Sequence, residues 1–283
     1  MSCLSVRALE RLLAEDVPYG DLTTEALGIG TEAASIGFAA RGAMVVSAIE
    51  EAAGILRLAA VDVTVHVGSG DAVEAGAVLL TGHGSARGVL RAWKVAQTLV
   101  EIWSGVATAT RALVVAARTV RPEIAVACTR KNVPGTKALS IAAIRAGGAA
   151  VHRLGLSETV LVFPEHRVFR RDADLAALVR DLRAQAPEKK LVIEVNSLGD
   201  GVAAARAGFD VVQTEKFAPD MVSQLVSALA SMTPRPLIAA AGGINPDNAA
   251  AYGRAGADIL VTSWPYTARP ADVAVTIARA GAR

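Results

Sequence analysis

Two adjacent cations, Arg130 and Lys131, come one residue after an apolar run at residues 124–128 that has the character of a buried strand. Cations beside a core are costly unless an anion meets them. Arginine offers a planar fork of donors and lysine a point charge, which suits phosphate, pyrophosphate or carboxylate. The stretch therefore predicts an anion-binding site at the end of this strand.

Two carboxylates, Glu194 and Glu215, stand at the ends of two other apolar runs. If the runs are neighbouring parallel strands, both side chains lie at the same edge of a sheet. The pair could hold one Mg²⁺ and leave positions for water or a substrate phosphate. It could also stabilise an electron-deficient sugar carbon, and the sequence leaves both roles open.

A glycine pair, Gly242 and Gly243, separates the apolar run LIAAA from a helix that we expect to start near Asn245. The backbone N–H groups of such a turn can bind a phosphate, although two glycines also serve as an ordinary tight turn. The next strand end carries Ser263, and many barrels build a phosphate site from their last two strands. We therefore predict that Gly242, Gly243 and Ser263 contact substrate.

A glycine-rich connection, AGGAAVHRLGLSE, carries His152 and Arg153. A lone histidine is more often structural than catalytic, but a core role is hard to arrange in such a loop. We favour a substrate-binding role for both residues. Phe163 ends the next apolar run and joins them as a candidate.

Six short apolar runs, each followed by a stretch of helical period, must position these residues. The runs are IAVAC, VLVF, LVIEV, VVQTE, LIAAA and ILVTS. Continuous apolar strands followed by amphipathic helices are typical of parallel βα units. Six units could form a doubly wound sheet or an incomplete barrel, and both folds place ligands beyond the carboxyl ends of the strands.

The first part of the chain has a different sequence pattern, in which glycines interrupt short apolar runs, as is typical of short strands and turns. A helix is predicted near residues 90–104, and the boundary near 104–109. We therefore predict a first domain at 1–108 and a second at 109–283, whose C-terminal tail packs back on the first domain.

Composition narrows the function classes. The 283 residues are 52% apolar, and 29 basic against 27 acidic residues give a net charge of +2, which predicts no general attraction to nucleic acid or membrane. The two cysteines, Cys3 and Cys128, suggest neither a disulfide framework nor a metal cluster, and a reducing cytoplasm fits. The sequence shows neither an export signal nor an apolar run that approaches a bilayer span.

Several motifs together resemble the quinolinate phosphoribosyltransferase family over nearly the whole chain. They are EDVPYGDLTTEAL, SGVATATR, TRKNVPGTKAL, GGAAVHRLGLSE, LVIEVNSL, AGFDVVQTEKFAP and AAAGGINPDNAAAYGRAGADILVTS. Within the family, WKVAQ, VPGTK and TEKF are most similar to the ModD branch, pyrophosphorylase-like proteins associated with molybdate-transport gene clusters. The resemblance implies an N-terminal α/β sandwich and an incomplete, six-stranded parallel α/β barrel in a homodimer. It also implies phosphoribosyl transfer from phosphoribosyl pyrophosphate, with Mg²⁺ and release of pyrophosphate.

The resemblance also assigns roles to the donor side of the site. Lys131 would meet the phosphoribosyl or pyrophosphate group, and Glu194 with Glu215 would face the ribose and the metal. Gly242 and Gly243 would hold the 5-phosphate.

On the acceptor side, the resemblance places Arg130, His152 and Arg153 around the acid group, and this chain departs from the family pattern nearby. Lys94 aligns with an arginine that reaches into the partner's site, and Phe163 replaces a lysine. At the donor end, glutamate stands at position 215 instead of aspartate.

These departures argue against a dicarboxylate acceptor. A carboxylate left poorly paired in a partly dry pocket costs about 2–5 kcal/mol, so we predict that the acceptor is not quinolinate. The Phe163 ring favours a flatter heterocycle with a single carboxylate.

Three functions stay open at this point. The preferred one is a phosphoribosyltransferase that acts on a nitrogenous, acid-bearing acceptor and is linked to molybdate transport. The alternatives are a genuine quinolinate phosphoribosyltransferase of NAD biosynthesis and a non-catalytic binding protein for a phosphorylated ligand or an oxyanion.

Overall fold

The computed structural model describes residues 2–170 and 174–281 of the chain. The helices are, in chain order, α1 (Val6–Asp16), α2 (Leu22–Ala26), α3 (Ile49–Leu58), α4 (Ala86–Arg118), α5 (Lys137–Ala146), α6 (Pro164–Arg167), α7 (Leu175–Gln185), α8 (Leu198–Ala207), α9 (Pro219–Ala228) and α10 (Pro246–Arg254). The strands are β1 (Ala33–Ala40), β2 (Met44–Val45), β3 (Asp62–Val65), β4 (Ala72–Val73), β5 (Val78–Ser85), β6 (Ala125–Cys128), β7 (Ala150–Val151), β8 (Val160–Val162), β9 (Leu191–Val195), β10 (Val211–Glu215), β11 (Leu237–Ala241), β12 (Ile259–Thr262) and β13 (Val273–Arg279).

The chain divides into two compact units, each built from separate segments of the sequence. The first unit comprises Met1–Arg111, Val133–Gly148 and Tyr266–Arg283. The second comprises Ala112–Asn132 and Ala149–Pro265. The chain therefore enters and leaves each unit more than once.

The first unit contains a four-stranded antiparallel sheet in the order β13-β1-β5-β3. Burial alternates along β1 because successive side chains point to opposite faces, and Phe38 is fully buried between Leu80 of β5 and Val275 of β13. Helix α3 packs on β3 and β5. Strand β13, close to the C-terminus, is thus an edge of this sheet beside β1.

The long helix α4 is apolar enough to be compared with a membrane span. Among the residues that the structure describes, it is the one helix whose length and hydropathy could cross a bilayer, contrary to the expectation that no segment approaches this length. However, 56% of its most apolar window is buried inside the protein. Val89, Ala92, Ala96 and Val100 are buried at helical spacing, which is typical of a core helix.

The second unit is a seven-stranded parallel sheet in the order β7-β6-β12-β11-β10-β9-β8. Apart from β7 and β8, each strand of this sheet neighbours the next in sequence, and β6 also pairs with the last of these strands, β12. A sheet that returns to its first strand in this way curls into a barrel, and the break lies between β7 and β8. The incomplete parallel barrel is therefore confirmed, and the alternative of a doubly wound sheet is wrong.

The barrel has seven strands where six were predicted. The additional strand, β7, contains only Ala150–Val151 and pairs with Ala127 and Cys128 of β6. Two residues are too short for an apolar run to stand out in the sequence. The inner core combines six side chains from five strands, namely Leu161, Val192, Val211, Ala239, Ala241 and Val261, and Phe163 packs against it.

Candidate functional site

A cavity of about 780 Å³ opens at the carboxyl ends of the barrel strands in the second unit. Its walls include the predicted site residues that follow these strands: Arg130, Lys131, His152, Arg153, Phe163, Glu194, Glu215, Gly242, Gly243 and Ser263. Residues from different βα connections meet here because parallel strands all end at the same rim. The structure thus brings together side chains that are more than 130 positions apart in the sequence.

Short turns at the end of β6 hold the two adjacent cations. The N–H of Thr129 donates to the carbonyl of Thr262 over 2.8 Å, which continues the pairing between β6 and β12 by one residue. The hydroxyl oxygen of Thr129 then accepts a hydrogen bond from the N–H of Lys131 over 3.2 Å. These hydrogen bonds therefore fix the backbone position of Arg130 and Lys131 at the rim of the barrel.

Arg153 is a buried charge, with only 5% of its surface exposed. Its guanidinium carbon lies 5.6 Å from the centre of the Phe163 ring, within the range of a cation–π interaction. Among the described residues Arg153 has no carboxylate partner within ion-pair distance. Burial lowers the pKa of Arg153, and the neighbouring Arg130 lowers it further, so an anionic ligand would relieve both effects.

His152 and Arg153 are the two residues that follow strand β7, and both line the cavity. The backbone N–H of His152 donates to the carbonyl of Cys128 over 2.9 Å, next to the pairing of β7 with β6. Burial lowers the pKa of His152, and the charges of Arg153 and Arg130 lower it further. The imidazole is therefore neutral at pH 7 and can both donate and accept a hydrogen bond.

Phe163 is held at the junction of β8 and α6. Its backbone N–H donates to Nδ1 of His166 over 3.0 Å, and the two rings stack with their centres 5.9 Å apart at an interplanar angle of 18°. The Phe163 ring also packs against the barrel core. It therefore gives the cavity a fixed flat apolar surface beside Arg153.

Glu194 is half-buried on β9 and is held by its neighbour on β10. The side-chain amide of Gln213 donates to Glu194 over 2.7 Å, and the two residues are opposite each other in the parallel pairing. Burial raises the pKa of Glu194, the charges of Glu215 and Glu165 raise it further, and Gln213 and Lys131 act in the opposite direction. Glu194 thus lies in an environment that favours a nearby positive charge.

Several polar residues of the cavity were not among the predicted site residues, and three of them bear on its chemistry. These three are Gln213, Glu165 and Lys216. Gln213 is buried, and within the described residues its side-chain oxygen has no hydrogen-bond partner. Gln213 sits two positions before Glu215 on a strand, so it shares a face with that carboxylate, and this spacing could have identified it. Lys216 directly follows Glu215 at the strand end.

The backbone of Lys216 has an unusual conformation. Its φ is +58°, in the left-handed region, which costs a non-glycine residue about 1–3 kcal/mol. Its N–H donates to the carbonyl of Ala241 over 2.8 Å, and its Nζ lies 3.9 Å from Oε1 of Glu215.

The glycine turn after β11 passes close to Lys216. Gly242 and Gly243 have φ values of +89° and +81°. A Cβ atom on Gly242 would lie 2.6 Å from Cγ of Lys216 and 2.9 Å from its backbone N, so only glycine fits.

The helix that follows the turn is capped by its own residues. The side-chain oxygen of Asn245 accepts from the N–H groups of Asp247 and Asn248, over 2.9 and 3.3 Å. In the described part of the chain, the N–H groups of Gly243 and Ile244 have no acceptor. The turn itself, and not the capped helix end, therefore offers donors to an anion.

Lys94, the remaining predicted site residue, belongs to the first unit and lies on α4. Its Nζ donates to Oε1 of Gln97 over 2.8 Å and lies 4.1 Å from the centre of the Trp93 ring. Lys94 therefore already has partners on its own helix.

Glu194 and Glu215 are the candidate ligands for Mg²⁺. Within the residues that the structure describes, three or more His, Cys, Asp or Glu side chains nowhere group together as a metal site. Glu194 and Glu215 both line the cavity and repel each other. Two carboxylates fit Mg²⁺ that takes its other ligands from water and substrate phosphates, which is how Mg²⁺ is commonly bound.

Comparison with known proteins covers most of the chain. Residues 21–104 match the N-terminal domain of quinolinate phosphoribosyl transferase, and residues 106–276 match its C-terminal domain. A Rhodobacter capsulatus protein named "Putative pyrophosphorylase ModD" is 49% identical over 249 residues, which is 88% of this chain and 96% of that protein. The nicotinate-nucleotide pyrophosphorylase [carboxylating] of Mycobacterium leprae is 31% identical over 275 residues, 95% of each chain.

Solved structures have the same fold. NadC from Streptococcus pyogenes superimposes with a TM-score of 0.86 at 25% identity and covers 96% of this chain and 95% of its own. The nicotinate-nucleotide pyrophosphorylase from Francisella tularensis gives a TM-score of 0.88 at 22% identity, with coverage of 96% and 95%. The predicted family and the similarity to ModD proteins are confirmed. The chain belongs to the quinolinate phosphoribosyltransferase family.

Proposed function

We propose that this chain transfers phosphoribosyl from phosphoribosyl pyrophosphate to a nitrogenous heterocycle that carries a single acid group. The members of its family are pentosyltransferases that use phosphoribosyl pyrophosphate, and this chain is a phosphoribosyltransferase of that kind, similar to ModD proteins. The identity of the acceptor is the new element. The observation that carries it is the pairing of buried Arg153 with the flat Phe163 ring in the cavity.

The donor binds, in this proposal, along the rim from β6 through β12 to β9. The 5-phosphate is bound by the N–H groups of the turn at Gly243 and Ile244, with Ser263 nearby, and Lys131 pairs with the pyrophosphate. The ribose then lies over Glu194 and Glu215. In this placement the phosphates accept hydrogen bonds from the N–H groups of Gly243 and Ile244 and pair with the charge of Lys131.

The reaction exchanges one bond for another at C1 of the ribose. The bond between C1 and the pyrophosphate oxygen breaks, its electron pair leaves with pyrophosphate, and the ring nitrogen of the acceptor forms the new bond to C1. Glu194 stabilises the positive charge that develops on the sugar, because its environment already favours a nearby cation. Gln213 holds the Glu194 carboxylate in place during this step.

Glu194 and Glu215 would also hold Mg²⁺ together with the donor's phosphates. When bound, Mg²⁺ supplies positive charge that neutralises the departing pyrophosphate. Lys131 contributes to the same neutralisation from the end of β6.

The acceptor binds beside the cations and the Phe163 ring. Arg153 and Arg130 pair with its acid group, neutral His152 hydrogen-bonds to it, and its ring stacks on Phe163. A second carboxylate would meet Phe163 where the family pattern has lysine. This loss of one cation is the reason to propose an acceptor with one carboxylate.

Quinolinate itself is the second candidate acceptor. It is favoured by the similarity to the Mycobacterium leprae protein, whose name describes a carboxylating nicotinate-nucleotide pyrophosphorylase. In that case Lys94 would replace the missing arginine from the partner subunit of a homodimer. The first proposal also keeps the predicted cytoplasmic role linked to molybdate transport, and the proteins named ModD are the relatives in which to look for such a link.

The test is an acceptor screen that follows release of pyrophosphate. The purified protein is incubated with phosphoribosyl pyrophosphate, Mg²⁺ and one heterocyclic acid at a time, including nicotinate, quinolinate and other mono- and dicarboxylates. We expect turnover with a monocarboxylate and little with quinolinate. Preferential turnover of quinolinate, with release of CO₂, would replace this acceptor with the second candidate.

A further inference from the structure

Lys216 combines backbone strain with a position in the cavity wall. Its φ of +58° lies in the region that glycine and asparagine tolerate best, yet the residue is a lysine. Strained non-glycine residues persist where the surroundings impose the conformation, and they cluster at ligand sites. The turn after β10 alone therefore does not explain why a lysine occupies this strained position.

The surroundings of Lys216 direct its side chain across the glycine turn. Its N–H donates to Ala241, which ties the strained residue to the end of β11. Its Cγ then passes 2.6 Å from where a Cβ of Gly242 would be. The lysine stem thus occupies the space that Gly242 leaves open, in the turn whose next two N–H groups, those of Gly243 and Ile244, have no acceptor in the described residues.

A purely structural role explains this arrangement poorly. Nζ of Lys216 lies 3.9 Å from Oε1 of Glu215, and their side chains are 79% and 36% exposed. Exposed ion pairs at this distance contribute little to stability. The pair does not compensate for the strain, whereas a ligand that needs a cation at this point would account for it.

We propose that Lys216 binds the phosphate monoester of the donor and holds it against the turn at Gly242 and Gly243. The site combines the ammonium group of Lys216 with the N–H groups of Gly243 and Ile244, so a phosphate would meet one full charge and two backbone donors. The proposal rests on the proposed function, in which this turn binds the 5-phosphate. It assigns to that phosphate a cation that the sequence analysis did not single out.

The central variant is Lys216→Asn, because asparagine tolerates positive φ and removes the charge together with the end of the side chain. Lys216→Arg keeps the charge and is the rescue variant. Ala60→Gly is the matched control for strain, since Ala60 has a φ of +60° in the first unit. Calorimetric titrations use ribose 5-phosphate and pyrophosphate as separate probes, and steady-state kinetics are measured with phosphoribosyl pyrophosphate.

For Lys216→Asn we expect at least about tenfold weaker binding of ribose 5-phosphate, because a charge-assisted hydrogen bond is lost. Pyrophosphate binding should be unchanged, and KM for the donor should rise more than kcat falls. The melting temperature should stay the same or increase, as in Ala60→Gly, because strain is relieved. Lys216→Arg should retain most of the affinity.

Three results would overturn the proposal. Unchanged binding of ribose 5-phosphate by Lys216→Asn would show that the lysine does not contact the phosphate. Loss of pyrophosphate binding alone would place Lys216 at the other end of the donor. A lower melting temperature with unchanged KM would assign it a structural role. Failure of the wild type to bind either probe would instead refute the proposed function itself.

Discussion

The two sides of the cavity satisfy their polar groups in different ways. On the donor side, Glu194 is hydrogen-bonded to Gln213 and the glycine turn is fixed between strand and helix. On the acceptor side, Arg153 is buried without a carboxylate partner in the described residues, and its nearest companion is the ring of Phe163. The donor side is therefore held in position by hydrogen bonds within the chain and offers the ligand the free N–H groups of Gly243 and Ile244, whereas the acceptor side leaves a buried charge for the ligand. Changes of substrate are accordingly expected on the acceptor side.

The largest expected effect comes from removing the donor-side charge. In Glu194→Gln the amide keeps an oxygen for Gln213 but cannot stabilise a sugar cation, so kcat should fall about 10³-fold. The melting temperature at pH 7 should rise, because the raised pKa of Glu194 means that folding disfavours its ionised form. Pyrophosphate release and thermal unfolding measure the two effects.

Glu188→Gln is the matched control for this variant, because Glu188 is an exposed carboxylate in the same unit. It should change neither activity nor melting temperature. Near-normal turnover by Glu194→Gln would remove this carboxylate from the account of the donor side.

Removing the acceptor-side charge should have the next largest effect. Arg153→Met should lower kcat/KM for the acceptor about 100-fold through the lost charge-assisted pair, with KM for the donor nearly unchanged. Because an unpaired buried charge is replaced by an apolar side chain, the melting temperature should not fall. Exposed Arg180 provides the control Arg180→Met. An equal loss of donor affinity would contradict the division of the cavity into two sides.

Restoring the family's lysine should produce a smaller gain. Phe163→Lys should tighten quinolinate binding about tenfold, because a second carboxylate then finds a cation. Phe163→Leu removes the ring without adding charge and separates the two contributions. If both variants bind quinolinate equally, position 163 does not select against dicarboxylates.

The smallest effect concerns the protonation of His152. An NMR titration should give it a pKa below the ordinary value of about 6.5, and Arg153→Met should raise this pKa because one of the neighbouring charges is removed. Since the unfolded histidine binds its proton more readily, His152 should reduce stability as pH falls below about 6.5. His152→Gln should weaken that pH dependence. A pKa of His152 at or above the ordinary value in the wild type would contradict the conclusion that the charges of Arg153 and Arg130 act on its imidazole.

Much of the barrel could be predicted because six of its seven strands coincide with short, mainly apolar runs. Strand β7 could not be predicted, since Ala150 and Val151 pair with β6 without forming a run of their own. Periodicity also could not separate an open sheet from a barrel. That choice depends on the pairing of β6 with β12, which are far apart in the sequence.

The site was predictable to the extent that residues follow strand ends directly. Arg130 and the glycine pair lie just after a strand, and Glu215 is the last residue of β10, whereas Glu194 lies one position before the end of β9. Gln213 lines the cavity from within β10, and in the sequence it is only one polar residue in a segment that is otherwise typical of a buried strand. The significance of Lys216 depends on its backbone angle, which no pattern of residue types shows.

The most direct test of the account is a calorimetric titration of the purified protein with phosphoribosyl pyrophosphate and Mg²⁺, followed by quinolinate. We predict that the wild type binds the donor, that Lys131→Ala and Glu194→Gln lose this binding, and that quinolinate binds weakly or not at all. Tight quinolinate binding would contradict the proposed difference between the two sides. Failure to bind the donor would contradict the assignment of the cavity to phosphoribosyl transfer.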